Sequence, residues 1–337
     1  MRPRGKAAIF LLLGLLLLGA MVVYVGPGEI VRALREASPA FLALSLLAYV
    51  TFFLLRGLRW KVLFSRSAPD VRVSSTTSIT AVGWLANSIL PFKGGDVLRA
   101  ALLARRERVG LGTSAATVGL ERVLDLTGLA LVAAFGLLIL PRATHLPAGL
   151  ERALTVAWVL PLLALVTLAI LVRWREATVR TAGAMLRPFG KLGKRLVDLG
   201  ETVLAGLHAL AQKPALLAKL VPLTLAISIS QALIFTCLVK AFLGAPLLLA
   251  FAGSAVFLLS FVVSITPGNV GTYEAAFAAV FIGLGIAPEA AVPAAILTHV
   301  TTTLTVAILG GIGLFALGAD KPRVPWTARP TPGGALR

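Results

Sequence analysis

The chain is poor in residues that build metal centres or covalent frameworks: one cysteine, three histidines and three methionines in 337 residues. The single cysteine, Cys237, sits in an apolar run, which excludes a disulfide framework and a cysteine-based zinc site. His145, His208 and His299 are scattered singly, so their spacing offers no histidine-rich metal site. Acidic residues are scarce too, 14 against 32 Lys plus Arg, giving a formal net charge of +18. Such an excess can signal nucleic acid, but here only 14% of residues are charged and 58% are hydrophobic. Mean hydropathy is +0.93. Average soluble domains carry about a quarter charged residues and under half apolar, and one soluble core stops growing near ~250–300 residues. The surplus belongs in a membrane, and soluble enzyme classes drop out. No nucleotide-binding motif is present, and no cofactor is expected.

A helix needs about 20 apolar residues to cross the hydrocarbon. Six stretches qualify: Ala7–Gly26, Ala40–Leu55, Ala116–Leu140, Leu154–Val172, Leu216–Val239 and Ala290–Leu317. Two more regions, Ser74–Ala104 and Pro246–Ile286, are apolar but interrupted, at Pro91-Phe92-Lys93-Gly94-Gly95-Asp96 and at Pro267-Gly268-Asn269-Val270-Gly271. The first stretch follows Arg2, Arg4 and Lys6 like a signal peptide. It is too long for one and lacks a convincing cleavage site, so it reads as a retained span.

Loops rich in Lys and Arg stay cytoplasmic. The basic segments are Arg2–Lys6, Arg56–Arg72, Arg105–Arg108, Arg173–Lys219 and the tail from Lys321. All of them reach the inside only if each interrupted region returns to the side it came from. The expected fold is therefore an all-α polytopic bundle of six full spans plus two re-entrant helical hairpins, with eight spans as the alternative. Both termini are expected in the cytoplasm of a cell-membrane protein.

Pro91 and Pro267 begin matching features: a Pro/Gly break, then an acid (Asp96, Glu274), then a helix and a long span. By the crossing count the first break opens from the inside and the second from the outside, an inverted repeat of the transporter kind. The halves run from about 1–172 and 216–317 within a 1–317 membrane unit. Between them, residues 173–215 form a cytoplasmic linker whose Leu192, Leu196, Leu199, Val203, Leu207 and Leu210 recur at helical spacing. This predicts an amphipathic helix, lying on lipid or packed beneath the bundle. Residues 318–337 read as a disordered basic tail.

Charges within spans cost about 2.5–3.5 kcal/mol each at the centre on insertion scales and tend to be functional. Glu121, Arg122 and Asp125 share roughly one helix face. Two acids to one base leave a carboxylate over once Arg122 is neutralised. The trio suits an anionic headgroup held by Arg122 and oriented by an acid, or else a structural cluster locking helices. At the first break Lys93, Asp96 and Arg99 surround Gly94 and Gly95, where close backbone approach and a helix N-terminus would suit a lipid phosphate. Asp96 alone also reads as an N-cap. The second break carries Gly271, Tyr273 and Glu274 without a base. Glu274 then needs His299 or Arg122 as partner, or a neutral carboxyl, since burial disfavours the charged form. A Glu and a His at that depth make proton coupling conceivable, or His299 simply bonds a neighbouring helix. Arg56, Arg59 and Lys61 with Trp60 read as an interfacial anchor.

Arg56-Gly57-Leu58-Arg59-Trp60, Leu90-Pro91-Phe92-Lys93-Gly94-Gly95-Asp96-Val97-Leu98-Arg99, Glu121-Arg122-x-x-Asp125 and Pro267-Gly268-Asn269-Val270-Gly271-Thr272-Tyr273-Glu274 together resemble the lysylphosphatidylglycerol synthase transmembrane-region family, also described as a flippase-like domain. The likeness runs from about Ala7 to Leu317. It implies lipid translocation by this domain, with amino-acid transfer left to a separate soluble domain that this sequence lacks. Other relatives are linked to polyprenyl-linked glycan or hopanoid pathways. His299 matches none of the family's motifs.

The expectation is thus a translocator of an anionic phospholipid or lipid-linked headgroup rather than an enzyme. Its partners are membrane lipids and not nucleic acid, and a homo-oligomer is compatible with it. The alternative is a membrane enzyme or accessory factor in lipid-linked glycan or hopanoid synthesis.

Overall fold

Long apolar runs become long helices in the computed structural model of the chain. It describes residues 26–64, 70–90, 94–107, 109–143, 173–262 and 266–319, with positions 23, 163, 166, 167, 170 and 171 besides. The expected spans Ala7–Gly26 and Leu154–Val172 fall almost wholly outside the described residues, as do Pro91, Phe92, Lys93 and residues 320–337 of the tail. Eleven α-helices are described: α1 (Pro27–Arg35), α2 (Pro39–Phe64), α3 (Val73–Ile89), α4 (Gly94–Arg106), α5 (Leu111–Ala143), α6 (Arg175–Leu186), α7 (Gly190–Ala211), α8 (Pro214–Leu243), α9 (Leu247–Phe257), α10 (Thr272–Gly283) and α11 (Pro288–Ala319). Among the described residues there is no strand. The protein is an all-α membrane bundle.

The four helices α2, α5, α8 and α11 are each long and apolar enough to cross a membrane. They contain the four expected spans that lie within the described residues. Prolines sit at several helix starts, where a missing N–H costs nothing, and Gly244 closes α8 in the left-handed conformation. The interrupted regions fold as short paired helices of 17 and 13 residues (α3, α4) and of 11 and 12 residues (α9, α10). At 1.5 Å per residue these reach roughly 26, 20, 17 and 18 Å, short of the ~30 Å hydrocarbon core. Both breaks fall where the Pro/Gly clusters predict them.

Long helix, short pair, long helix occurs twice: α2, α3/α4, α5, then α8, α9/α10, α11. Exchanging the two sets maps the packing onto itself. Helix α2 packs on α8; α3 packs on α11 and its counterpart α9 on α5; α2–α3 matches α8–α9, and α4–α5 matches α10–α11. Each short pair therefore leans on the other half's last long helix. The shared core joins Phe52, Phe53, Phe235, Phe257, Phe277 and Phe281 from both halves.

The linker is two helices, α6 and α7. Val203 of α7 meets Gly119 of α5, while Leu196 is exposed. Part of the amphipathic helix thus packs against α5, and another part of it stays open.

Close approaches depend on glycine. A Cβ on Gly95 would lie 2.0 Å from the Gly83 carbonyl oxygen, and one on Gly83 would lie 2.2 Å from Arg99 Cγ, so α3 and α4 touch backbone to backbone. Helix α11 receives α3 in two notches: a Cβ on Gly310 would strike Leu85 at 2.6 Å, and one on Gly313 the Ser78 carbonyl oxygen at 2.9 Å. Gly95→Ala should accordingly destabilise the protein by about 1–3 kcal/mol through overpacking. Gly112→Ala, with nothing within 4 Å of its added carbon, should hold or slightly raise the melting temperature. Thermal melts in detergent compare the two, and equal melting would refute the contact.

Candidate functional site

Helical spacing on α2, α4 and α5 aims four arginines and three acids at one another. On α2, Arg56 and Arg59 are i,i+3. On α4, so are Asp96 and Arg99. On α5, Glu121 and Asp125 are i,i+4. Asp125 accepts from Arg56 Nη2 at 2.7 Å and also from Arg59. Glu121 pairs with Arg99 and lies 3.7 Å from Arg59. Arg122 grips Asp96 with two bonds, Nε to Oδ2 at 2.8 Å and Nη2 to Oδ1 at 2.5 Å, and reaches Asp125 at 3.8 Å. Bidentate guanidinium–carboxylate pairing of this kind is strong and directional. Arg59 also donates to Thr224 of α8.

Aromatic rings frame the cluster. Arg99 lies over Trp60 at 4.5 Å, and Arg56 over Phe52 and Trp84 at 4.8 and 5.2 Å. Arg56, Arg59, Arg99 and Glu121 are buried, whereas Arg122 is 31% exposed and Asp96 and Asp125 about 15%. The cluster thus has a closed floor and an open face. Several buried donors have no hydrogen-bond partner among the described residues: Nε and Nη1 of Arg56, and Nε of Arg59 and Arg99. Orphaned donors at such depth mark a place for water or a ligand oxygen.

Gly94 and Gly95 open α4, and the Gly95 N–H donates to Asn87 Oδ1 at 2.8 Å. That one backbone donor is therefore occupied by a side chain of α3. Asp96 lies within the first turn of α4 and takes Arg122, with Asn87 Nδ2 at 3.4 Å, so it is a cluster member and not an N-cap. Lys93 lies outside the described residues.

The second break builds a different site. Its backbone turns left-handed at Gly268, Asn269 and Gly271, with φ of 63, 59 and 79°. Glu274 Oε2 accepts the Gly271 N–H at 2.8 Å. Glu274 Oε1 lies 2.7 Å from His299 Nδ1, and His299 Nε2 lies 3.0 Å from the Gly268 carbonyl oxygen. Tyr273 stacks on the imidazole at 4.3 Å. Of the two partners expected for Glu274, the geometry selects His299. The breaks also meet: a Cβ on Gly268 would sit 3.1 Å from the Ser88 carbonyl oxygen, beside Asn87.

The structure therefore groups Asp96, Arg99, Glu121, Arg122 and Asp125 in one cluster and Gly271, Tyr273, Glu274 and His299 in another. Two readings change. Arg56 and Arg59, read as an interfacial anchor, do not face lipid or water but are buried among carboxylates on a helix that runs on to Phe64. Nor is a carboxylate left over: among the described residues four guanidinium groups face three acids, so the surplus is positive. The sequence signal for Arg56 and Arg59 was their shared helix face with Phe52 and Trp60. Among the described residues no three His, Cys, Asp or Glu side chains converge as metal ligands.

A family model described as the lysylphosphatidylglycerol synthase TM region matches residues 8–310. Glycosyltransferase AglD of Haloferax volcanii is 27% identical to this chain over 93% of it and 55% of that protein. A UPF0104 membrane protein of Methanothermobacter thermautotrophicus is 32% identical over 36% of this chain and 37% of its own length. Another, from Methanocaldococcus jannaschii, is 26% identical over 36% of each. The chain spans about half, or less, of the length of these curated relatives. No solved structure matches it.

The charge cluster sets a stability expectation. Asp125→Asn removes the acid shared by Arg56 and Arg59 and should cost about 3–5 kcal/mol, as breaking a buried pair does. Glu29→Gln removes only the open partner of Arg32 and should cost less than ~1 kcal/mol. Denaturant titration of the purified protein in micelles would distinguish them, and a small Asp125→Asn effect would sink the account of the cluster.

Proposed function

We propose, from the premise that this chain belongs to the lysylphosphatidylglycerol synthase TM-region family, that it is a carrier moving an anionic phospholipid or lipid-linked headgroup between the leaflets of the cell membrane. The observation that carries this reading is a positive surplus inside the helix bundle: four arginines against three carboxylates, with orphaned guanidinium N–H groups in the same cluster as a partly exposed Arg122. A lipid phosphate brings the missing negative charge and the acceptor oxygens together. Planar guanidinium suits a phosphate better than ammonium does, because it can donate two parallel bonds.

In this reading Arg122 meets the headgroup and Asp96 releases it to the phosphate as the lipid enters. Lys93, Gly94 and Gly95 form the mouth at the first break. Gly271, Tyr273, Glu274 and His299 form the second gate. The short pairs are re-entrant hairpins entering from opposite leaflets, which their limited lengths support. In this reading the tip-to-tip contact at Ser88 and Gly268 is a gate near the middle of the membrane, where broken helices flank transporter sites. Both termini are cytoplasmic on the distribution of Lys and Arg.

A second reading draws on the Haloferax relative named a glycosyltransferase: the chain works as an enzyme or accessory factor in lipid-linked glycan assembly. Transfer of labelled sugar from a nucleotide donor to lipid by the purified chain would favour it.

The carrier reading is tested in vesicles containing fluorescent phosphatidylglycerol, with leaflet exchange followed by dithionite quenching. The wild-type protein should accelerate exchange over protein-free vesicles. Arg122→Lys keeps the charge but loses the two-pronged grip, and should slow exchange about tenfold or more, the worth of one charge-assisted hydrogen bond. Absence of acceleration, or an unaffected variant, would overturn the reading.

A further inference from the structure

We propose that Glu274 and His299 form a binding site for a coupling proton, and that losing this proton unlatches the second hairpin so that a proton gradient drives exchange. The inference rests on the carrier reading and adds its energy source. It follows from counting donors and acceptors around one ring. The Gly268 carbonyl oxygen can only accept, so His299 Nε2, 3.0 Å away, carries hydrogen. The Gly271 N–H can only donate, so Glu274 Oε2 accepts it. Between Nδ1 and Oε1, 2.7 Å apart, there is room for one proton and need of one. Whether it rests on the ring or on the carboxyl, the pair with its proton is neutral overall, a state suited to a Glu274 side chain only 3% exposed.

Removal of that proton to water leaves the pair with a net charge of −1 and three acceptors for one remaining ring hydrogen. The hydrogen on Nε2 sets two lone pairs against each other at Nδ1 and Oε1. Moved to Nδ1, it restores the Glu274 bond but sets the Nε2 lone pair against the Gly268 carbonyl. Either way one of the two bonds made by the ring is lost. The Gly268 bond is the one released, because its acceptor is a neutral carbonyl whereas the bond to the Glu274 carboxylate is charge-assisted and stronger. Gly268 also abuts Ser88 of the first hairpin, so releasing its carbonyl loosens the contact between the two tips. Among the described residues, Tyr273 is stacked on the ring and Tyr49 from α2 neighbours Tyr273. Both are ordinarily neutral across the range in which a histidine changes charge.

Two measurements test this. With His145 and His208 replaced by glutamine, ¹⁵N-histidine spectra of the protein in micelles should show hydrogen on Nε2 at about pH 5, and a single proton lost on raising the pH. That loss should shift markedly in Glu274→Gln, in which the amide mimics the protonated acid. Nitrogen spectra showing a bare Nε2 throughout would overturn the proposal. In vesicles of phosphatidylcholine with fluorescent phosphatidylglycerol, an imposed pH gradient should raise the wild-type exchange rate about fivefold or more, the low end of coupling between sites. A protonophore should abolish the rise, and Glu274→Gln should give the same rate with and without the gradient. Wild-type exchange indifferent to the gradient overturns the coupling and leaves the carrier reading standing. No exchange under either condition overturns both.

Discussion

A guanidinium cannot shed its charge by losing a proton, so each arginine folded away from water obliges the chain to deliver acceptors to it. Arg56, Arg59 and Arg99 are buried on α2 and α4, and the acids that meet them stand on α5. Their mutual position is therefore fixed by charge as well as by shape. A buried ion network is weak evidence of stability, since apolar packing often does as well. It does enforce register: sliding α5 by one turn against α2 would leave Glu121 and Asp125 facing the wrong guanidinium groups. The aromatic rings of Trp60, Phe52 and Trp84 close the cluster from the sides.

The helix scaffold is close to two-fold in its packing, yet its two breaks carry unlike chemistry. The first presents fixed charges that no accessible pH removes from the arginines. The second presents an acid and an imidazole that can share a proton and be neutral. Ser88 against Gly268 joins them, and Asn87, next to Ser88, bonds both Gly95 and Asp96. A change at either tip thus has a short mechanical route to the other. Symmetry supplies the matching breaks, and the side chains make one a fixed-charge cluster and the other an acid–imidazole pair.

Much of this was legible in the residues. Apolar run length gave α2, α5, α8 and α11, and the Pro/Gly clusters gave both interruptions, because a helix has few other ways to end within an apolar stretch. The quoted motifs at residues 56–60, 90–99 and 121–125 converge on one cluster, and those at 267–274 build the other. Charge balance is not legible from one helix alone. Glu121 and Asp125 look excessive beside Arg122 until Arg56, Arg59 and Arg99 arrive from elsewhere in the chain. The burial of the basic end of α2 is hidden for a similar reason, since composition cannot reveal that acids from α5 meet Arg56 and Arg59. Exchange of the short pairs between halves is a tertiary fact with no local sign. The glycines that permit it, Gly310 and Gly313, read simply as small residues in a span.

Those two glycine notches on α11 bear on the order in which the molecule is made. Helix α3 leaves synthesis early, but the groove that receives it belongs to the final helix described, and the same delay does not burden α9, whose seat on α5 already exists. For most of translation the face of α3 that meets α11 rests on a temporary neighbour, whether lipid, an insertion factor or another part of the nascent chain. The last helix described therefore acts as a keystone: a chain cut short before Gly310 leaves that one face of α3 uncovered. Such a product would betray its incompleteness to the cell's proteolytic surveillance by an unsatisfied helix face deep in its first half.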